Sequence, residues 1–274
     1  MSVIAPSLNL AAIIAAATIV TADAQEAPRP DFSAAEAGWL TPIAGDYAPV
    51  PGAPGPMLSD PAHPFYDNVE ARRRGITPTY RIGDLSNPNL KPNVKAAMKK
   101  DNDEVNSGKT AYSPSTSCKP AGVPAYLLQP STLYFVQAPK EVVMIQSYDS
   151  QVRHIYLDVP HSAPVKTSWY GESIGHYEGD TLVVDTVGLN SQTFADAYRT
   201  PHSEKLHVIE RWKLTQEGKG LEVTVTVEDP ETYYQPWKGV LRYRRVPGAV
   251  QEAICAENNQ QFDYHMPEAD RPDF

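Results

Sequence analysis

Three sets of ionisable side chains in this 274-residue chain could carry acid/base chemistry. The first lies in Gly171-Glu-Ser-Ile-Gly-His-Tyr-Glu-Gly-Asp-Thr-Leu-Val-Val-Asp-Thr186, where Gly179-Asp180 reads as a two-residue turn between antiparallel runs. That turn sets Glu178 opposite Thr181, Tyr177 opposite Leu182, His176 opposite Val183 and Gly175 opposite Val184. Ser173, Gly175, Tyr177, Leu182, Val184 and Thr186 then share one face. Ile174, His176, Val183 and Asp185 share the other, with His176 diagonal to Asp185. An imidazole beside a carboxylate is an oriented acid/base pair or, more commonly, a wall salt bridge.

The second set is Arg153 and Glu210. Arg153 falls on a strand face with Ile155 and Leu157, opposite Val152, His154, Tyr156 and Asp158. Glu210 falls among Leu206, Val208, Trp212 and Leu214. A charge among apolar neighbours needs a partner, so these two are expected to pair inside the fold, as a structural tie or as the lining of a pocket. The third set is His161, His202 and His207. Histidines from separate strands could bind a metal without leaving a tight spacing; each is more commonly a hydrogen-bonded sheet or loop residue. No nucleophile elbow, phosphate loop, dinucleotide fingerprint or His-Glu-x-x-His is present. Chemistry without a cofactor and without a metal is the expectation.

The elements that must position these groups are mostly strands. From Ser131 onward the period is two: Leu133–Gln137, Glu141–Tyr148, Val152–Asp158, the hairpin above, Leu206–Leu214, Leu221–Val227, Val240–Arg245 and a short Ala253–Ala256. Eight or nine strands in sequential antiparallel order predict a mainly β fold, an up-and-down barrel or strongly curved sheet of calycin-like type. Asn87–Gly108 reads as an amphipathic helix with Pro92 in its first turn, packed on the barrel or closing over a pocket. Residues 25–86 are rich in Pro, Gly and Ala and form an arm, with a helical turn at Glu36–Leu40, a short helix from Asn68 closed by Gly75, and Trp39 and Phe65-Tyr66 as anchors. The organisation is therefore 1–24 leader, 25–86 arm, 87–108 helix and 109–274 barrel.

Leu8 to Val20 is apolar but short, and Ala22-Asp23-Ala24 fits a cleavage site before Gln25, although the preceding segment has no Lys or Arg. A periplasmic or secreted protein follows, with no membrane association after cleavage. The net charge of −9, or −8 without Asp23, and the lack of a basic aromatic stripe argue against nucleic acid. Fifteen tyrosines suit a partly polar, aromatic small molecule. The two cysteines, Cys118 and Cys255, read first as a disulfide in an exported protein and second as free thiols. Oligomeric state is left open, a homo-oligomer included.

Cys118-Lys-Pro-Ala-Gly-Val-Pro124, Arg153-His-Ile-Tyr-Leu-Asp158, Ser173 to Thr186, Pro201-His-Ser-Glu-Lys-Leu206 and Glu210-Arg211 together resemble a large family of exported bacterial β-rich proteins. The similarity spans roughly residues 90–259. Within that family the chain is similar to the phenylcoumaran γ-formaldehyde lyases, enzymes of lignin-derived aromatic dimer breakdown. Relatives tend to carry Asp-Gly-Arg-x-His-Pro where this chain has Asp158-Val-Pro-His161, so an anion-binding role for this loop does not carry over. The resemblance implies a carbon–carbon lyase, in which a base deprotonates a primary alcohol, an acid assists opening of a neighbouring ether ring, and a cation steadies the developing phenolate. By residue type, His176, Glu210 or Asp158 would be base, Tyr148 or His202 acid, and Arg153 or Arg211 the cation. His161, Trp169, Tyr177 and Asp185 would help to hold substrate. A non-catalytic small-molecule-binding barrel and a metal-dependent hydrolase are the competing readings.

Overall fold

The computed structural model describes residues 29–33, 37–41, 45–147, 151–250 and 252–255. The segment 1–24, expected to be a leader, and Tyr148 lie outside the described residues. Ten strands make one sheet: β1 (Ala37–Leu40), β2 (Ala48–Pro49), β3 (Thr132–Ala138), β4 (Glu141–Gln146), β5 (Gln151–Leu157), β6 (Glu172–Glu178), β7 (Thr181–Val187), β8 (His207–Thr215), β9 (Gly220–Glu228) and β10 (Trp237–Pro247). From β3 to β10 each strand neighbours the next in sequence, and β1 pairs with both β10 and β3. Nine strands thereby close into a barrel, and β2 adds to β10. Closure removes the two open edges that a curved sheet would leave.

The alternation that predicted the strands is the alternation of burial. Leu221, Val223, Val225 and Val227 point inward and are buried, while Glu222, Thr224 and Thr226 between them are not. The 173–186 hairpin turns at Gly179-Asp180 in the expected register. Gly179 has φ +60, a conformation that costs glycine little and would strain a residue with a Cβ.

Three expectations change. Ala37–Leu40 is a strand rather than part of a helical turn, and it supplies the stave that closes the barrel, so the arm is not separate from it; Glu36 lies outside the described residues. Trp39, buried and hydrogen-bonded to the Phe32 carbonyl at 2.8 Å, fixes that stave. The strands are not all antiparallel: β5 and β6 run parallel through Tyr156–Ile174 and Leu157–Gly175, because the long 158–171 connection crosses over instead of turning back. Residues 253–255 form no strand, and Ala256 lies outside the described residues.

The helices are shorter or as expected. α1 (Asn68–Arg74) is capped by the Asp67 carboxylate, which accepts from the N–H groups of Val69 and Glu70, and is ended by Gly75 at φ 68. α2 spans Pro92–Asn106, starting later than Asn87 because Pro92 occupies its first turn. Its Val94, Met98 and Leu90 just before it join the main core. The Arg199 guanidinium donates to the buried Asp101 carboxylate at 2.6 Å and clamps α2 to the barrel. No helix among the described residues is long and apolar enough to cross a membrane. Cys118 and Cys255 form the expected disulfide.

Aromatic rings pack within the barrel interior. Ring centroids step inward from Phe32 to Phe135 at 5.5 Å, to Trp212 at 5.3 Å and to Tyr243 at 5.8 Å. The short 3-10 turn Ala125–Leu128 adds buried Tyr126, Leu127 and Leu128. Tyr243 donates its hydroxyl to the Leu127 carbonyl and Tyr47 to that of Pro124, both at 2.9 Å.

Within this packing sits the expected Arg153–Glu210 pair, Nη1 to Oε1 at 3.0 Å, with neither side chain exposed. Every nitrogen of the guanidinium is engaged. Nε and Nη2 donate to Ser173 Oγ, Nη2 also to Thr186 Oγ1 at 2.8 Å, and Nη1 also contacts the Met144 sulfur. Removing one member leaves an uncompensated buried charge, which costs about 3–5 kcal/mol. Arg153→Met and Glu210→Leu are each expected to lose that much in chemical denaturation. The double variant is expected to lose less than either single one.

Candidate functional site

The wall of the barrel is thin where the antiparallel alternation breaks, β5 and β6 sharing two register pairs among the described residues. Upstream of Tyr156, β5 keeps β4 on one side but has no register partner on its β6 side among the described residues, where pairing is confined to Tyr156–Ile174 and Leu157–Gly175. The 158–171 loop takes that place, tied by a hydrogen bond from the Tyr170 hydroxyl to Gln151 Oε1 at 2.8 Å. Between loop and strand lies a cleft of about 530 Å³, lined among others by Val152, His154, Tyr156, Lys166, Tyr170, Glu172 and Ser173. Ser173 also holds Arg153 from behind, so the cleft floor is one side chain away from the buried ion pair.

Two histidine–carboxylate arrangements reach the cleft, one through His154 and one through Glu172. His154 points outward from β5 beside Tyr156, their rings stacked with centroids 6.3 Å apart. Its Nδ1 meets Glu141 Oε1 of β4 at 2.6 Å. The strand register puts Val143 opposite His154 and Glu141 opposite Tyr156, so this is a diagonal cross-strand pair. A carboxylate on Nδ1 fixes the proton there and leaves Nε2 as the basic nitrogen. Lys166, also at the cleft, supplies a cation.

Glu172 opens the second arrangement. It accepts from the Ser162 N–H at 2.7 Å and meets His161 Nδ1 at 2.9 Å. These bonds, Ser162 foremost, hold its carboxyl below the usual carboxylate range. His161 Nε2 continues to Asp185 Oδ1 at 3.1 Å, and His207 Nε2 reaches the same oxygen at 2.9 Å. His207 Nδ1 lies 3.9 Å from Glu228. Asp185 is shifted down chiefly by its bond with His207, and His207 is shifted up chiefly by Asp185. No cluster of three His, Cys, Asp or Glu side chains among the described residues is arranged to hold a metal ion.

The residues expected from sequence scatter over three environments. Arg153 and Glu210 are sealed in the core. His202 is also fully buried; its Nδ1 donates to the Ser203 carbonyl at 2.9 Å and its Nε2 meets Thr193 Oγ1 at 2.8 Å. Tyr177 faces inward, half-buried, accepting from Gln137 Nε2 at 2.8 Å, with Arg29 over its ring. His176, Asp158, Arg211 and Trp169 lie elsewhere. His176 is not paired with Asp185 but with Glu178 at 3.0 Å, because two residues along one strand face are as close as the diagonal and Asp185 is taken by two other imidazoles. Arg211 pairs with the same Glu178, Asp158 lies near Arg29, and Trp169 packs under Lys119. Of the expected set, Arg153 and Glu210 meet in the core, His176 and Arg211 share Glu178, and His161 meets Asp185 beside the cleft. Glu172 and His207 join His161 and Asp185, and Glu141 with His154 form a separate pair; the Glu141–His154 diagonal was recoverable from the β4–β5 register, whereas the His161 contacts depend on a loop with no periodicity to read.

A larger groove of about 900 Å³ lies between residues 62–82 and the end of α2, lined by Phe65, Tyr66, Tyr80, Ile82 and Val105. Its His63–Asp60 pair, 2.8 Å, is a local turn contact in which Asp60 also accepts from the Ala62 N–H.

Burial separates two histidines of equal promise in sequence. His176→Ala, losing an exposed ion pair, is expected to change stability by less than about 0.5 kcal/mol in denaturant titration. His202→Ala, stranding the Thr193 hydroxyl and leaving a cavity, is expected to lose about 2–4 kcal/mol.

Compared with protein-family models, with curated proteins and with solved structures, the chain finds no match in any of the three.

Proposed function

We propose that this protein is an exported, cofactor-independent lyase that releases formaldehyde from a lignin-derived aromatic dimer of the phenylcoumaran class, with its chemistry in the cleft at the β5–β6 seam. The observation that carries this reading is the Glu141–His154 pair, 2.6 Å apart, at the rim of a tyrosine-lined cleft that also holds Lys166. Sequence resemblance supports the substrate class, and the disulfide suits an oxidising compartment.

The reaction is redox-neutral. His154 Nε2 takes the hydroxyl proton of the primary alcohol, the carbon–carbon bond to that carbinol breaks to give formaldehyde, and its electrons form an alkene as the adjacent ether bond opens. The departing phenolate oxygen gains a proton, and Lys166 steadies its charge as it develops. Tyr156 and Tyr170 offer ring faces to an aromatic substrate. The roles first given to Glu210, Arg153 and His202 do not carry over, since none of them reaches solvent in this structure.

A second reading, binding without turnover, is favoured by the apolar groove beside α2 and by the solvation of the dyad, whose His154 and Glu141 side chains are 53% and 32% exposed.

Chelator-treated protein incubated with phenylcoumaran-type dimers is expected to release formaldehyde. His154→Gln is expected to lower kcat/KM by roughly 10²–10⁴-fold, with a smaller loss for Glu141→Gln. Absence of formaldehyde from every such substrate removes the lyase reading, and full activity in His154→Gln removes the assignment of the base.

A further inference from the structure

The 158–171 loop is pinned by its backbone at both ends and by ionic side-chain bonds in between. Asp158 N–H donates to the Gly175 carbonyl at 2.8 Å at one end. At the other, Ser168 N–H donates to the Gly188 carbonyl and its own carbonyl accepts from Asn190, both at 2.9 Å. Between them the chain from Val159 to Thr167 is mostly exposed. Val165, half-buried, packs close on Gly188, and the polar ties are His161, bridging Glu172 of β6 and Asp185 of β7, and the Ser162 N–H on Glu172. This same stretch carries Ser162, Pro164 and Lys166 of the cleft wall.

We infer that Asp185 is a positioning residue for the cleft, and that with His161, His207 and Glu172 it forms a proton-dependent latch holding the outer wall, Lys166 included, against the barrel. The charged groups facing His161 are Glu172 and Asp185; those facing Asp185 are His161 and His207; and Glu228 of β9 stands behind His207. For His161 to donate to both carboxylates its ring must carry two protons. A neutral ring turns one contact into a meeting of lone pairs. The latch therefore holds between two limits. It weakens on the alkaline side as His207, whose proton is held more tightly by Asp185, finally loses it. It weakens on the acid side as Asp185, depressed by the two imidazoles, becomes protonated.

The inference does not require catalysis, so it is tested without substrate. Hydrogen exchange of the intact protein is followed for the Ser162 amide, which donates to Glu172, with β8–β9 amides as the reference for global opening. Protection relative to intrinsic rates is expected to be greatest in the mildly acidic to neutral range and to fall above it. Asp185→Asn, nearly isosteric, is expected to lower loop protection roughly tenfold, the loss of charge-assisted bonds, while β8–β9 protection holds. Glu222→Gln, which breaks a remote surface pair with Arg242, is expected to leave the loop unchanged. Should Asp185→Asn fail to fold, the pH dependence of wild-type loop protection decides alone. Loop protection that is flat with pH, or equal in wild type and Asp185→Asn, overturns the latch. The lyase reading stands or falls separately, on formaldehyde release.

Discussion

Two opposite charges buried in an otherwise apolar barrel set the terms for everything around them. An arginine and a glutamate taken fully out of water are tolerable only when their donors and lone pairs are met. Ser173, Thr186, Met144 and Trp212 meet them here. Because these partners come from strands β4 to β8, one network specifies the register of half the barrel. A slip of one residue in any of those strands would turn a partner outward and leave the guanidinium short of an acceptor. The hydrophobic alternation allows many β arrangements; the ion pair selects among them.

The same constraint separates framework from chemistry. Tyr47, Tyr126 and Tyr243 surround the pair, and burial pushes all three hydroxyls well above the ordinary tyrosine range. They act as hydrogen-bonding struts, not as acids. On the outside of the wall His154, His161 and His207 each meet a carboxylate while keeping some access to water. The inner face supplies rigidity, and the outer face, at the parallel seam, supplies the groups that can change charge.

Much of this was legible in the residues. Period-two alternation located the strands, Gly179-Asp180 fixed one hairpin to the residue, and apolar neighbours of Arg153 and Glu210 implied their union. The partnerships that failed were those decided by competition. His176 and Asp185 share a face, but a loop histidine and a β8 histidine bid for the same carboxylate, and no local pattern reveals them. Likewise Ala37–Leu40 has no strand signature of its own. Four residues in a proline-rich arm become a strand because two open edges need one.

That borrowed stave has a kinetic meaning. β1 precedes nearly every other element, yet it must zip onto β10, near the far end of the chain. The ring therefore cannot seal until almost the entire polypeptide is available, and its sealing contact spans the greatest sequence distance in the fold. Until then β3 and β10 present bare hydrogen-bonding rims to any neighbouring copy.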